Sequence, residues 1–294
     1  MLAHARPSPT PLQVLEARPT LIGGLRATRY QLYRDHALRG DADVDRAFST
    51  FGAIVLPPAD RPGAGVVTLL NGITKGMERS VPAALALARA GIGAVLDLAA
   101  DAHGLGRGGQ RALFGVSFGC LLSSTAFARD GVGARFFGAI GHPDLAAMAR
   151  GLLDGFTRFS GLPASVVAGG LRLGTVADAA ARRMGGEPAV GALRLARLLH
   201  ALGRGGRDVA AFNPVQYAGL AGAGRPVAFL AGEADPVAPP AEIRLSAAAF
   251  ARSAVDVVPA LGHGWYPGAR PAGAPSFEQA CGRWLVRHLA DWTA

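Results

Sequence analysis

Residues 111–120, RALFGVSFGC, restrict the fold more than any other part of the chain. An apolar run, Ala112-Leu113-Phe114, enters Gly115-Val116-Ser117-Phe118-Gly119, and small or apolar residues at 120–128 continue with helical character. This predicts a strand, a sharp turn and a helix in direct succession. The glycines two before and two after the serine leave no Cβ where strand and helix crowd each other. The spacing G-x-S-x-G therefore predicts a serine in a strained backbone conformation, its hydroxyl standing above the edge of a sheet.

The rest of the chain alternates strand and helix signals around this turn. Residues 21–36 and 47–56 read as an opening pair of strands, and 57–63 (PPADRPG) as a turn cluster. Residues 66–70 (VVTLL) are continuously apolar, as expected of a strand buried on both faces of a parallel sheet. Ser80 is expected to cap a helix over 81–90 with Pro82 in its first turn, and 94–98 forms the fourth strand. Strand, helix and strand with short connections make a βαβ unit. Further strands are expected at 135–141, 226–231 and 254–258, with helices at 240–252 and 276–292. Residues 143–213 carry helical patterning broken by glycines, at 145–159, 163–173, 176–184 and 190–202. They read as a helical cap inserted into a core domain made of 1–142 and 214–294.

The connection between the fourth and fifth strands departs from this alternation. Residues 99–110 hold four glycines, so no stable helix is expected there. Fully extended, they reach roughly 40 Å, enough to return along a short strand and skip one neighbour. One crossover helix is therefore missing, and a few hundred Å² of sheet face or helix flank is expected to need another cover. The candidate covers are the N-terminal segment, the cap and a second copy of the chain; a homodimer through the 99–110 face is favoured, since an isologous contact buries one patch twice.

Composition narrows the class. A chain of 294 residues, 50% hydrophobic and 17% charged, can bury the core of one large α/β domain with an insertion. The net charge of +9 does not predict nucleic-acid binding, because Lys75 is the only lysine, the arginines are scattered among Ala and Gly, and there is no dense basic cluster with interleaved aromatics. The first residues contain no apolar leader stretch, and no uncharged run is long enough to span a bilayer, so a cytoplasmic protein is expected. Cys120 and Cys281 have neither disulfide nor metal spacing. No metal and no cofactor is expected.

Two further stretches complete a pattern. Gly232-Glu233-Ala234-Asp235 follows a late strand, and Gly262-His263-Gly264 follows the last one. With GVSFG, these resemble the α/β-hydrolase superfamily, whose chain order is Ser…Asp…His. The resemblance covers about residues 21–289, the cap being the part least determined by the family. The tail, GHGWYPG followed by SFEQACGRWLVRHL, is similar in layout to dienelactone-hydrolase-like and lipase-like members. Dienelactone hydrolases themselves carry Cys at the elbow, where this chain has Ser117.

The resemblance implies a mostly parallel sheet with flanking helices and a serine-hydrolase site. Ser117 is the candidate nucleophile, and His263 the base that takes its proton. Asp235 fixes the imidazole tautomer and stabilises the imidazolium. Asp144, just past the strand at 135–141, is the alternative acid. The oxyanion donors implied are the backbone N–H groups of Phe118 and Ile73. Asn71-Gly72 stands where family members often show His-Gly, and His103-Gly104 is given no catalytic role. Asn71, Lys75, Trp265 and Tyr266 are the candidate lining of a small-molecule pocket. Lys75, Arg79 and nine cap arginines, against five cap acids, suit a solvated surface better than an anion site. The expected chemistry is cleavage of a carboxylic ester or thioester through an acyl-enzyme. Acyl transfer, C–C bond hydrolysis or cyclisation by the same residues, and a non-catalytic binding scaffold, are the alternatives.

Overall fold

The computed structural model describes residues 13–33, 50–59, 65–71, 77–96, 110–144, 147, 151, 157, 161–163, 165, 166, 169, 213–219, 224–263 and 276–292. Among them the strands are β1 (Gln13–Ile22), β2 (Leu25–Tyr33), β3 (Thr50–Leu56), β4 (Gly65–Leu70), β5 (Gly93–Leu96), β6 (Gln110–Val116), β7 (Arg135–Ala139), β8 (Val227–Gly232) and β9 (Ser253–Val258). They form one sheet in the order β1-β2-β3-β5-β4-β6-β7-β8-β9. The first three are antiparallel to their neighbours, including β3 to β5, and the other pairings are parallel.

The opening of the chain corrects the expected strand pair. Residues 21–36 are not one strand: Ile22 pairs with Leu25, and Gly23 and Gly24 form the loop of a hairpin between β1 and β2. Both glycines have positive φ, +56° and +81°, which is what a two-residue turn matching the twist of its strands requires. The free edge, β1, carries a register shift between Val14 and Glu16, a proline at position 19, and the Glu16–Arg18 ion pair. These features discourage further strand pairing.

β4, β5 and β6 set the site's position. The chain passes from β4 through α1 (Val81–Arg89) to β5 on one side, then crosses back over β4 to β6 on the other. The carboxyl ends of β4 and β6 thus lie side by side where the winding reverses, the place where open α/β sheets bind ligands. The crossover skips one neighbour, as its length allows. Its residues, 97–109, lie outside the described residues, as does the expected dimer face at 99–110.

Side chains alternate across the sheet. Phe114, Phe137 and Leu230 face a cluster built with Leu87 of α1 and Trp284 and Leu285 of α4 (Phe277–His288). Their neighbours Leu113, Phe136 and Phe229 face the opposite cluster, with Phe127 of α2 (Phe118–Asp130) and Ile243 of α3 (Pro240–Ala247). This period of two, with both faces apolar, explains the unbroken apolar runs in the sequence. Leu32, Ala53, Val55, Val66 and Val95 make a third buried cluster at the antiparallel end.

Several boundaries move for local reasons. The strand expected to reach Gly141 stops at Ala139, because Ile140 turns to φ +41°. The helix expected over 240–252 ends at Ala247, and its chain tightens through Ala249 N–H to Ser246 O and Phe250 N–H to Ala247 O. Ser276 caps α4 with Gln279 in a reciprocal capping box, and the helix ends at His288 before a short 3₁₀ turn at Ala290–Trp292. Ser80 precedes α1 in helical geometry and makes no cap bond; its hydroxyl donates to Asn71 Oδ1 at 2.5 Å instead.

α4 is tied to the sheet by polar contacts as well as packing. Asp256 of β9 accepts from Trp284 Nε1 at 2.7 Å, His288 Nε2 at 2.8 Å and Arg287 at 3.2 Å. Burial pushes the Asp256 carboxyl up, but the bonds from Trp284 and His288 outweigh it and hold the group below its ordinary value.

Of the expected cap, only scattered residues are described, those at 147, 151, 157, 165, 166 and 169 being helical. Gly151 lies so close to the loop after β8 that a Cβ there would stand 1.7 Å from Val237 O. No helix among the described residues is long and apolar enough to cross a membrane.

Candidate active site

The site is built from the turns that follow β6, β8 and β9. At the first, Ser117 has φ +53° and ψ −118°, a conformation costing an L-residue about 1–3 kcal/mol. It is held by its own N–H donating to Ala139 O at 2.9 Å and by its carbonyl accepting from Cys120 N–H at 3.0 Å. The two flanking glycines are sterically required. A Cβ on Gly115 would stand 2.2 Å from Gly119 O, and one on Gly119 would stand 2.4 Å from Leu70 O and 2.7 Å from Asn71 O. Strand β6, helix α2 and the end of β4 therefore meet backbone to backbone. Gly141, which the sequence did not single out, completes this packing: its Cβ would stand 2.5 Å from Ser117 O.

The second turn carries Asp235, whose N–H donates to Gly232 O at 3.1 Å. Its Oδ1 accepts from the N–H groups of Val237 at 2.8 Å and Ala238 at 3.1 Å. This local side-chain turn leaves Oδ2 for another donor. That donor is His263 Nδ1, at 2.8 Å. His263 Nε2 lies 2.9 Å from Ser117 Oγ. A carboxylate can only accept, so in the neutral imidazole Nδ1 carries the proton and the Nε2 lone pair faces the serine hydroxyl. Asp235 and His263 are each 2% exposed, which keeps water from competing for these bonds.

The structure thus brings together Ser117, His263 and Asp235, one from each of the three strand ends. Asp144, the alternative acid, is elsewhere engaged. Its Oδ1 accepts from Ala147 N–H at 2.8 Å and its Oδ2 from Asn213 Nδ2 at 3.0 Å. Phe118 opens α2, so its N–H has no intrahelical acceptor and lies beside the serine. Asn71 ends β4 against Gly119. Ile73, Lys75, Trp265 and Tyr266 lie outside the described residues. Arg79 pairs with Glu278 of α4 at 3.2 Å.

Cys120, one turn into α2, is not a competing nucleophile, since full burial pushes its thiol far up. No group of three or more His, Cys, Asp or Glu among the described residues is arranged to hold a metal ion.

No protein-family profile matches the chain, and no curated protein matches it in sequence. Solved structures do resemble it. DcsB, solved in complex with its substrate analogue, is 14% identical over 83% of this chain and 96% of its own, with a TM-score of 0.50. TT1662 from Thermus thermophilus is 13% identical over 96% of this chain and 98% of its own, with a TM-score of 0.49. The alpha/beta hydrolase GrgF from Penicillium sp. sh18 is 17% identical over 82% and 95%, also at 0.49. At these identities the likeness concerns the fold. A mostly parallel sheet wound about β4, with Ser117 in the turn after β6 and Asp235 and His263 after β8 and β9, is the α/β-hydrolase fold.

Proposed function

We propose that the protein is a serine hydrolase that cleaves a carboxylic ester or thioester of a small to medium organic substrate through an acyl-enzyme. One observation carries this reading: the continuous hydrogen-bonded line from Ser117 Oγ to His263 Nε2 and from His263 Nδ1 to Asp235 Oδ2, at 2.9 and 2.8 Å. Asp235 spends its other oxygen on two backbone N–H groups, so the line has one orientation. The three residues act as the catalytic triad.

In the first half-reaction Ser117 Oγ attacks the substrate carbonyl carbon as its proton passes to His263 Nε2. Asp235 holds the imidazole in place and stabilises the imidazolium that forms. The tetrahedral oxyanion accepts from Phe118 N–H, and Ile73 N–H, outside the described residues, is the second donor that the family resemblance implies. Collapse breaks the bond to the leaving alkoxide or thiolate, which takes the proton from His263. Water then attacks the acyl carbon, gives a proton to His263 Nε2, and releases the acid as that proton returns to Ser117. The strained serine turn keeps Oγ fixed throughout, so little reorganisation is left for the reaction itself.

The intact line favours catalysis over a non-catalytic scaffold.

The test is hydrolysis of short p-nitrophenyl esters. Wild type is compared with His263→Ala, which lacks the Nε2 lone pair that takes the Ser117 proton, so its kcat/KM should fall by about three orders of magnitude or more. A His263→Ala protein with near-wild-type turnover would remove His263 from the base role.

A further inference from the structure

Residues 258–261, Val-Pro-Ala-Leu, lie between β9 and His263, so the turn they form sets where the histidine stands. Leu261 N–H donates to Val258 O at 3.4 Å, closing a four-residue turn with Pro259 at its second position. Ala260, at the third, has φ +56°. Proline followed by positive φ is a type II turn, which asks for glycine at that third position. Alanine there is strained, and such a residue persists only where its surroundings hold it.

The holding group comes from the other loop. Glu233 Oε2 accepts from Ala260 N–H at 3.1 Å. The backbone of the same segment adds Glu233 N–H to Val258 O and Ala234 N–H to Leu261 O, both at 3.0 Å. Gly232 lies so near that a Cβ would stand 2.3 Å from Leu261 O. The loop carrying Asp235 and the loop carrying His263 are therefore laced together two residues from each catalytic group. Glu233 supplies the only side chain among these lacing bonds between the described residues.

We infer that Glu233 is a positioning residue: its carboxylate clamps the strained 258–261 turn and so sets His263 in register with Asp235. The inference rests on the hydrolase reading above for its kinetic consequence, but its geometric consequence stands apart. Glu233 touches neither substrate nor reacting atoms. Without it, the turn is free to relax and the imidazole to swing away from Asp235 Oδ2. A displacement of about 1 Å at such a site costs on the order of a hundredfold in rate.

The experiment compares wild type, Glu233→Ala and Glu233→Gln by two readouts. Glu233 is exposed, and its removal leaves the core untouched. The first readout is 15N NMR of the histidine ring nitrogens, which reports the His263 tautomer. The second is kcat and KM on a p-nitrophenyl ester. Wild type and Glu233→Gln, whose amide oxygen still accepts from Ala260 N–H, should show the Nδ1–H tautomer. Glu233→Ala should shift His263 toward Nε2–H, with kcat down about ten- to a hundredfold and KM within about twofold. An unchanged tautomer and kcat in Glu233→Ala would overturn the inference. If wild type turns over no ester, the hydrolase reading falls; the tautomer shift in Glu233→Ala alone still supports the clamp, and its absence overturns it.

Discussion

Ser117→Ala is expected to lower kcat by about four to six orders of magnitude while leaving the thermal midpoint within a degree or two of wild type. The magnitude follows from the triad acting as a unit: once the nucleophile is gone, only binding and oxyanion stabilisation remain. The unchanged stability follows because alanine meets the same backbone demand as serine at φ +53°, and the lost bond is the single one to His263 Nε2. Asp235→Asn should cost about three to four orders, since an amide can donate to Nδ1 and reverse the tautomer. Asp144→Asn separates the two acids, because the Asp144 oxygens are bound to Ala147 N–H and Asn213 Nδ2. It should keep kcat within a few-fold. Steady-state kinetics beside a thermal melt reads all three. A near-normal Asp235→Asn with a dead Asp144→Asn would reassign the acid.

Gly119→Ala is expected to be strongly destabilising for the addition of a single methyl. The added carbon would stand 2.4 Å from Leu70 O and 2.7 Å from Asn71 O, both backbone atoms where β4 ends. Neither half-buried backbone oxygen can retreat without breaking the contact of β4 with the elbow, so a loss of about 3 kcal/mol or more is expected. That is a large fraction of the roughly 5–15 kcal/mol by which folded proteins are stable. Gly169→Ala is the control: its Cβ position meets nothing within 4 Å and its φ is ordinary, so the methyl should be neutral or slightly stabilising. Urea denaturation measures the difference. A Gly119→Ala protein as stable and active as wild type would mean that the elbow is not packed as described.

Why the elbow was legible and its surroundings were not follows from where each signal lives. The strand–Gly-x-Ser-x-Gly–helix order is local, and the steric demand at Gly115 and Gly119 is written in the two residues themselves. Asp235 and His263 were legible because each follows an apolar strand, and the resemblance supplied their order. The two-residue hairpin at Gly23-Gly24 was legible in principle, as adjacent glycines between alternating runs, but the apolar pattern continues across it and merges the strands. Ile140 could not be read: its apolar run extends through Gly141, and the turn there depends on Ser117 N–H reaching Ala139 O from another strand. Ser80 has the sequence of a cap, yet its hydroxyl goes to Asn71, a partner set by the β4 and α1 packing. Asp144 has the spacing of a candidate acid, and its two oxygens are bonded instead to Ala147 N–H and Asn213 Nδ2, partners that the sequence pattern does not announce. Glu233 carries no local signal, since Ala260 lies 27 residues away.

The central claim is that Ser117 is an activated nucleophile, and covalent labelling tests it most directly. Wild-type protein treated with a fluorophosphonate and weighed intact should gain one phosphonyl group, mapped by peptide mass to Ser117. His263→Ala should label far more slowly, and Ser117→Ala should not label. No adduct on wild type under conditions that label a known serine hydrolase, or an adduct that survives Ser117→Ala at the wild-type rate, would contradict the account.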